Sequence, residues 1–181
     1  MDNLFNRKDI SYDLNLLINN CRNKLITTSC GFFYYLQNKL SKTINDKIFV
    51  SSSLIQIPLL LDIIPSQKKI GILTANSNKL DINLLCNIYN IDKTRLVIQG
   101  MENKDEFKEC ILKSNRYNIN LDKMRQEILE NVENMLNKNS SIFMLVIECT
   151  DIDYCVNDIR TKFKIPVYNL ISLINMLYYG L

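Results

Sequence analysis

Two cysteines in this chain stand where a folded protein could use a thiol. Cys30 follows the short run Leu25-Ile26-Thr27-Thr28-Ser29 and precedes Gly31 and an aromatic stretch, Phe32-Phe33-Tyr34-Tyr35, that reads as a helix. Cys149 ends the apolar run Phe143-Met144-Leu145-Val146-Ile147-Glu148 and precedes Thr150, Asp151 and Asp153, which open another helix. Each is a strand–turn–helix corner with sulfur at its tip. In an open parallel sheet such corners lie at the carboxyl ends of strands, where ligands bind.

The chemistry open to a facing pair of thiols is specific. One thiolate removes a proton from a carbon and the other thiol returns one from the opposite side, which inverts the centre without a cofactor. Each sulfur must come within roughly 3–3.5 Å of the carbon. The sulfurs then stand about 6–7 Å apart, too far for a ~2.05 Å disulfide bond. A redox reading predicts that disulfide instead, and a packing reading makes both cysteines inert. The chain contains no histidine, so Ser-His-Asp and Cys-His catalysis and His-ligated metals are excluded. Acid–base work falls to Cys, Asp, Glu, Lys or Tyr. A helix N-terminus after each cysteine is expected to favour the thiolate and to hold a carboxylate. Glu148 or Asp151 could orient the second thiol, but as anions they oppose its ionisation.

The elements that must position these residues alternate. Tyr12 to Cys21 reads as a helix with Cys21 inward. Helices are expected over 32–42 and 54–64, the second ended by Pro65, and over 79–89, capped by Ser77 or Asn78. More follow over 103–113, 121–138, 151–163 and 170–179. Strands fall at 47–50, 69–74, 95–99, the Cys149 run and 165–168. The cluster Ser51-Ser52-Ser53 after the second strand suits helix capping or a bound carboxylate. Cys86, Cys110 and Cys155 read as packing residues. Buried strands alternating with helices make an α/β protein with parallel sheets. Pro65 to Lys69 marks a boundary between two lobes, and the two cysteine corners place a cleft between them.

Composition narrows the classes. The 181 residues are 47% hydrophobic and 23% charged, with a formal net charge of +3, which suits a globular domain. Basic residues are scattered, so nucleic acid is not an expected partner. No apolar run approaches the ~20 residues that span a bilayer, so no membrane partner is expected. Met1 to Asp9 does not read as a secretory signal, which makes the expected location cytoplasmic and the six cysteines reduced. No Cys-x-x-Cys pair signals a zinc site.

At the two corners the sequence resembles the aspartate/glutamate racemase superfamily. The matching residues are Thr27 to Phe32, Phe49 to Pro58, Gly71 to Ala75, Ile98 to Met101 with Glu106-Phe107, Glu148 to Asp151, and Pro166 to Tyr168. The resemblance implies two flavodoxin-like lobes with the site between them, the first formed by 1–66 and 167–181 and the second by 67–166. It implies a cofactor-independent racemase or isomerase, acting on an acidic amino acid such as aspartate or glutamate through Cys30 and Cys149. Ser29, Gly31, Phe32, Ser52, Ser53, Thr74 and Thr150 are then expected around a small carboxylate or amino-acid substrate, and a homodimer is the analogous assembly. The sequence departs from the family where Gly31-Phe32 replaces Asn-Thr and where Asp151 replaces a histidine. The helix at Tyr12 also comes first, so the resemblance implies a shortened first lobe with an open sheet edge. A shortened, non-catalytic member that binds a carboxylate or a protein partner is the competing expectation.

Overall fold

The computed structural model describes residues 10–181; the expectations for residues 1–9 lie outside them. Helix α1 (Ile10–Asn20) leads into β1 (Leu25–Thr27), α2 (Gln37–Leu40), β2 (Ile48–Val50) and α3 (Ile57–Asp62). Strand β3 (Lys69–Thr74), α4 (Ile82–Tyr89), β4 (Leu96–Gly100), α5 (Asp105–Phe107) and α6 (Leu121–Lys138) follow. Then come β5 (Ile142–Ile147), α7 (Val156–Phe163), β6 (Val167–Tyr168) and α8 (Leu170–Tyr178). This is the α/β fold with parallel sheets that the alternation implies. One sheet pairs β1 with β2, and the other has the order β4-β3-β5-β6; every pairing is parallel.

Strand β3 is buried almost throughout, with Ile70, Ile72, Leu73 and Thr74 fully inside. A strand covered on both faces must be apolar at nearly every position. One face meets α6 and α7 through Leu73, Leu145, Ile147, Met124, Ile128, Val132 and Ile159. The other meets α3, α4 and the aromatic turn through Ile70, Ile72, Val146, Ile57, Leu60, Leu85 and Phe32. The small sheet is sandwiched too. Phe49 and Ile26 pack with Ile18, Leu36 and Leu40 on one side, while Val50, Leu25 and Ile48 pack with Leu170 and Leu173 of α8 on the other. Strand β6 pairs with β5 in the large sheet, and α8, directly after it, lies on the small sheet. The chain thus passes from one sheet to the other after Tyr168.

Several expectations need correction in detail. Cys21 is exposed, because α1 ends at Asn20 and the cysteine lies past its packed turn. Helix α4 starts at Ile82, where Asp81 accepts the N–H of Leu84 at 2.9 Å. Ser77, expected to cap it, instead donates its backbone N–H to Glu102 at 3.1 Å. The segment expected as one helix over 103–113 is a single α-turn followed by a π-helical stretch, Lys108–Leu112. Among the described residues, no helix is long and apolar enough to cross a membrane.

Candidate functional site

Both cysteine corners form as strand–turn–helix units. β1 is followed by a 3₁₀ turn over Gly31–Leu36, with Cys30 at its N-cap. β5 is followed by a 3₁₀ turn over Thr150–Cys155, with Cys149 at its N-cap. A third such corner follows β2, where Ser52 caps the 3₁₀ turn Ser53–Gln56 by accepting the N–H of Leu54.

The corners are tied together. Thr150 Oγ1 donates to the carbonyl of Ser29 at 2.9 Å, so the residue after one cysteine holds the residue before the other. Ser53 Oγ donates to the carbonyl of Ile147 at 2.7 Å. Thr28 Oγ1 donates to the carbonyl of Ser51 at 2.5 Å. Gln56 Nε2 donates to the carbonyl of Asn169 at 3.2 Å. Hydroxyl and amide groups from three corners thereby close on backbone carbonyls rather than on solvent.

Each residue expected at the site has a definite place. Cys30 and Cys149 are part-buried free thiols. Phe32 is buried in the core beneath its corner. Ser52, Ser53 and Thr74 are buried, and their oxygens are engaged internally: Ser52 in its cap, Ser53 with Ile147, and Thr74 by donation to Glu148 Oε2 at 2.6 Å. Ser29 and Thr150 meet each other. Gly31 abuts Glu148: a Cβ built on it would lie 2.5 Å from the Glu148 carbonyl oxygen and 2.6 Å from its carboxyl carbon.

Glu148 is the acid that sequence reasoning left in a secondary role. It is only 3% exposed and has no ion-pair partner among the described residues. Burial pushes its carboxyl up to about 7, against the Thr74 hydroxyl and the Ala75 backbone N–H, which favour the charged form. Its signal in sequence was a charged residue inside an apolar strand end.

The thiols depart from expectation. Placement before a helical turn was expected to favour the thiolate. In the structure burial raises Cys30 first, the backbone N–H of Phe32 opposes this, and the Glu148 charge adds to the rise. Burial raises Cys149 well above its ordinary value, with further contributions from Glu148 and Asp151, opposed by the backbone N–H of Asp151. The turns are short 3₁₀ segments, so each thiol gains one N–H and not the field of a long helix. Desolvation and neighbouring acids outweigh it.

Behind the Cys149 corner lies a cavity of about 340 Å³, lined by Asp153, Asn157, Arg160, Asn169, Ser172 and Asn175 among others. Burial raises Asp153 to about 6 while the Asn169 side chain opposes it. Among the described residues, no group of three or more His, Cys, Asp or Glu side chains is gathered as metal ligands.

This architecture is shared with known proteins. The chain superposes on a glutamate racemase from Bacillus anthracis with a TM-score of 0.53 at 11% identity, covering 94% of this chain and 64% of that one. It therefore has the racemase-type α/β fold. In sequence it is similar to dimethylsulfoniopropionate lyase 3 of Emiliania huxleyi (strain CCMP1516), at 28% identity over 159 residues, 83% of this chain and 40% of the relative. It is also similar to the dimethylsulfoniopropionate lyase of Durusdinium sp. clade D, at 28% over 152 residues, 81% of this chain and 49% of the relative. The chain thus spans less than half the length of these lyases. No protein-family model matches it.

Proposed function

We propose that Cys30 and Cys149 form a cofactor-independent site for removing a proton from the carbon beside a carboxylate. In this reading one sulfur takes the proton and the other supplies one from the opposite face, isomerising a small acidic amino acid such as aspartate or glutamate. The Thr150–Ser29 bond carries the reading, because it joins two thiol-bearing corners one residue from each sulfur. Two chemically equivalent groups held on opposing turns suit a reaction whose forward and reverse directions are alike. The racemase-type fold supports the same reaction class.

A second fate of the same carbanion is favoured by the sequence likeness to dimethylsulfoniopropionate lyases. Removal of the proton beside the carboxylate of a sulfoniopropionate would break the bond from the neighbouring carbon to sulfur. This would release dimethyl sulfide and an unsaturated acid. Glu148 and Asp151, which both weigh on Cys149, place negative charge beside that thiol and suit a cationic onium group better than a second carboxylate.

One experiment separates these readings. Each enantiomer of aspartate and glutamate, and dimethylsulfoniopropionate, is incubated with the protein in D₂O and followed by proton NMR. Deuterium entering the α-position of an amino acid supports the isomerase. Dimethyl sulfide release supports the lyase. Cys30→Ser and Cys149→Ser should each abolish the isomerase reaction. A rise in melting temperature with these acids but no exchange or release would leave a binding protein and overturn both catalytic readings.

A further inference from the structure

We infer that Glu148 is a positioning residue that sets the charge state of both thiols at once. The inference rests on reading Cys30 and Cys149 as the reacting groups, and it deepens that reading by naming what governs them. Its basis is placement. The carboxyl group sits between the two corners: it belongs to the residue before Cys149, and the chain carries glycine beside Cys30, where any Cβ would strike it. The carboxyl is held by Thr74 from the end of β3. Around it stand Cys30 and Tyr34 from one turn, Thr74 at the end of β3 and Ala75 just after it, and Cys149 with Asp151 beyond it on the other turn.

With no histidine in the chain, no imidazole is present to share the charge with the thiols. Glu148 bears on both sulfurs and raises both. While it is charged, each thiol holds its proton more tightly; when it takes up a proton, that opposition disappears. A carboxyl shifted towards neutrality makes the change within a working range of pH. A site that needs one thiolate and one thiol carries a single negative charge, and Glu148 competes for it.

The test is the rate at which iodoacetamide alkylates each cysteine as a function of pH, read per site by peptide mass spectrometry without substrate. In Glu148→Gln, Cys30 and Cys149 should both react faster near pH 8, by about tenfold, because the charge that opposes their ionisation is lifted. Below about pH 6, where Glu148 is protonated in the unaltered protein, the two proteins should react alike. Exposed Cys21 should be unchanged throughout. A loosened fold would instead raise the rates equally at every pH. Parallel profiles, or a change at only one of the two thiols, would overturn the inference. Should Glu148→Gln not fold, Thr74→Val keeps the carboxyl, removes a bond that favours its charged form, and should speed both alkylations near pH 7; unchanged rates would again overturn it. Because no substrate is used, failure of the exchange assay leaves this result standing, and a flat alkylation profile leaves the exchange assay standing.

Discussion

The hydroxyl of Thr150 donates to the carbonyl of Ser29 at 2.9 Å, across 121 residues of chain. The bond sets the relative position of the two cysteine corners, so it bears on geometry more than on stability. Thr150→Val should cost about 1 kcal/mol in urea unfolding, the ordinary worth of a neutral hydrogen bond. Its effect on α-deuterium exchange should be larger, about a hundredfold, because small misplacement of reacting groups is expensive. Equal losses in stability and rate would argue against a positioning role.

Gly31→Ala should destabilise by about 1–3 kcal/mol, the usual cost of forcing an extra carbon into a packed site. Part of that cost should persist in the Gly31→Ala/Glu148→Ala double variant, because the Glu148 backbone carbonyl is as close as its carboxyl carbon. A full rescue in denaturant midpoints would show that only the side chain is in the way.

Stability should fall as pH rises through the acid-to-neutral range. Glu148 and Asp153 have folded values of about 7 and about 6, above their ordinary 4.5 and 3.8. The folded state therefore binds more protons there, and unfolding free energy declines with pH. The penalty is absent below the ordinary values and complete above the folded ones. Asp92, Glu106 and Glu130, whose values are lowered, act in the opposite sense at lower pH. Urea midpoints measured across this range should show the decline, and Glu148→Gln should flatten the part between about 4.5 and about 7.

The Arg95 guanidinium donates to the carbonyls of Lys68, Leu61 and Pro65, each at 3.2 Å, and so fastens the turn that leads into β3. Arg95→Ala should cost about 2 kcal/mol, since bonds from a charged donor exceed neutral ones. Hydrogen exchange should quicken at 62–69 before it quickens in β3.

Two neighbouring serines should behave oppositely. The Ser51 hydroxyl is buried without a hydrogen-bond partner among the described residues, so Ser51→Ala should be neutral or stabilising in thermal unfolding. Ser53→Ala severs the bond to Ile147 and leaves a buried carbonyl short of a donor, at about 1–3 kcal/mol.

Much of the fold was legible because the strands announce themselves. β3 and β5 are apolar at nearly every position, as strands covered on both faces must be. The stripe Met124, Ile128 and Val132 of α6 is buried as its period requires. What stayed hidden depends on partners distant in sequence. The segment after Gly100 reads as one helix, yet Glu127 accepts the N–H groups of Glu106 and Phe107, and a π-helical stretch follows. Leu121 fits the stripe of α6 but is 55% exposed, because it lies in the helix's first turn. At the site, residue types located both corners, but of the hydroxyls expected to face a ligand Ser53 and Thr150 turn to backbone carbonyls, Ser52 caps its own turn and Thr74 donates to Glu148. The dominant influence on the thiols, burial, arises from packing that no local spacing encodes; the opposition of Glu148 to Cys149 was legible from their adjacency, but its reach to Cys30 was not.

The small sheet has two strands of three residues each, and an isolated pair of that size does not persist in water. It exists because α8 and the turn after β2 cover one face while α1, α2 and the turn after β1 cover the other. The Cys30 corner is therefore gripped at two points: its strand by α8, and its turn, through Phe32 and Tyr34, by the core of the four-stranded sheet. The first thiol thus rides on the seam where two separately packed bodies meet, whereas Cys149 sits on the rim of one.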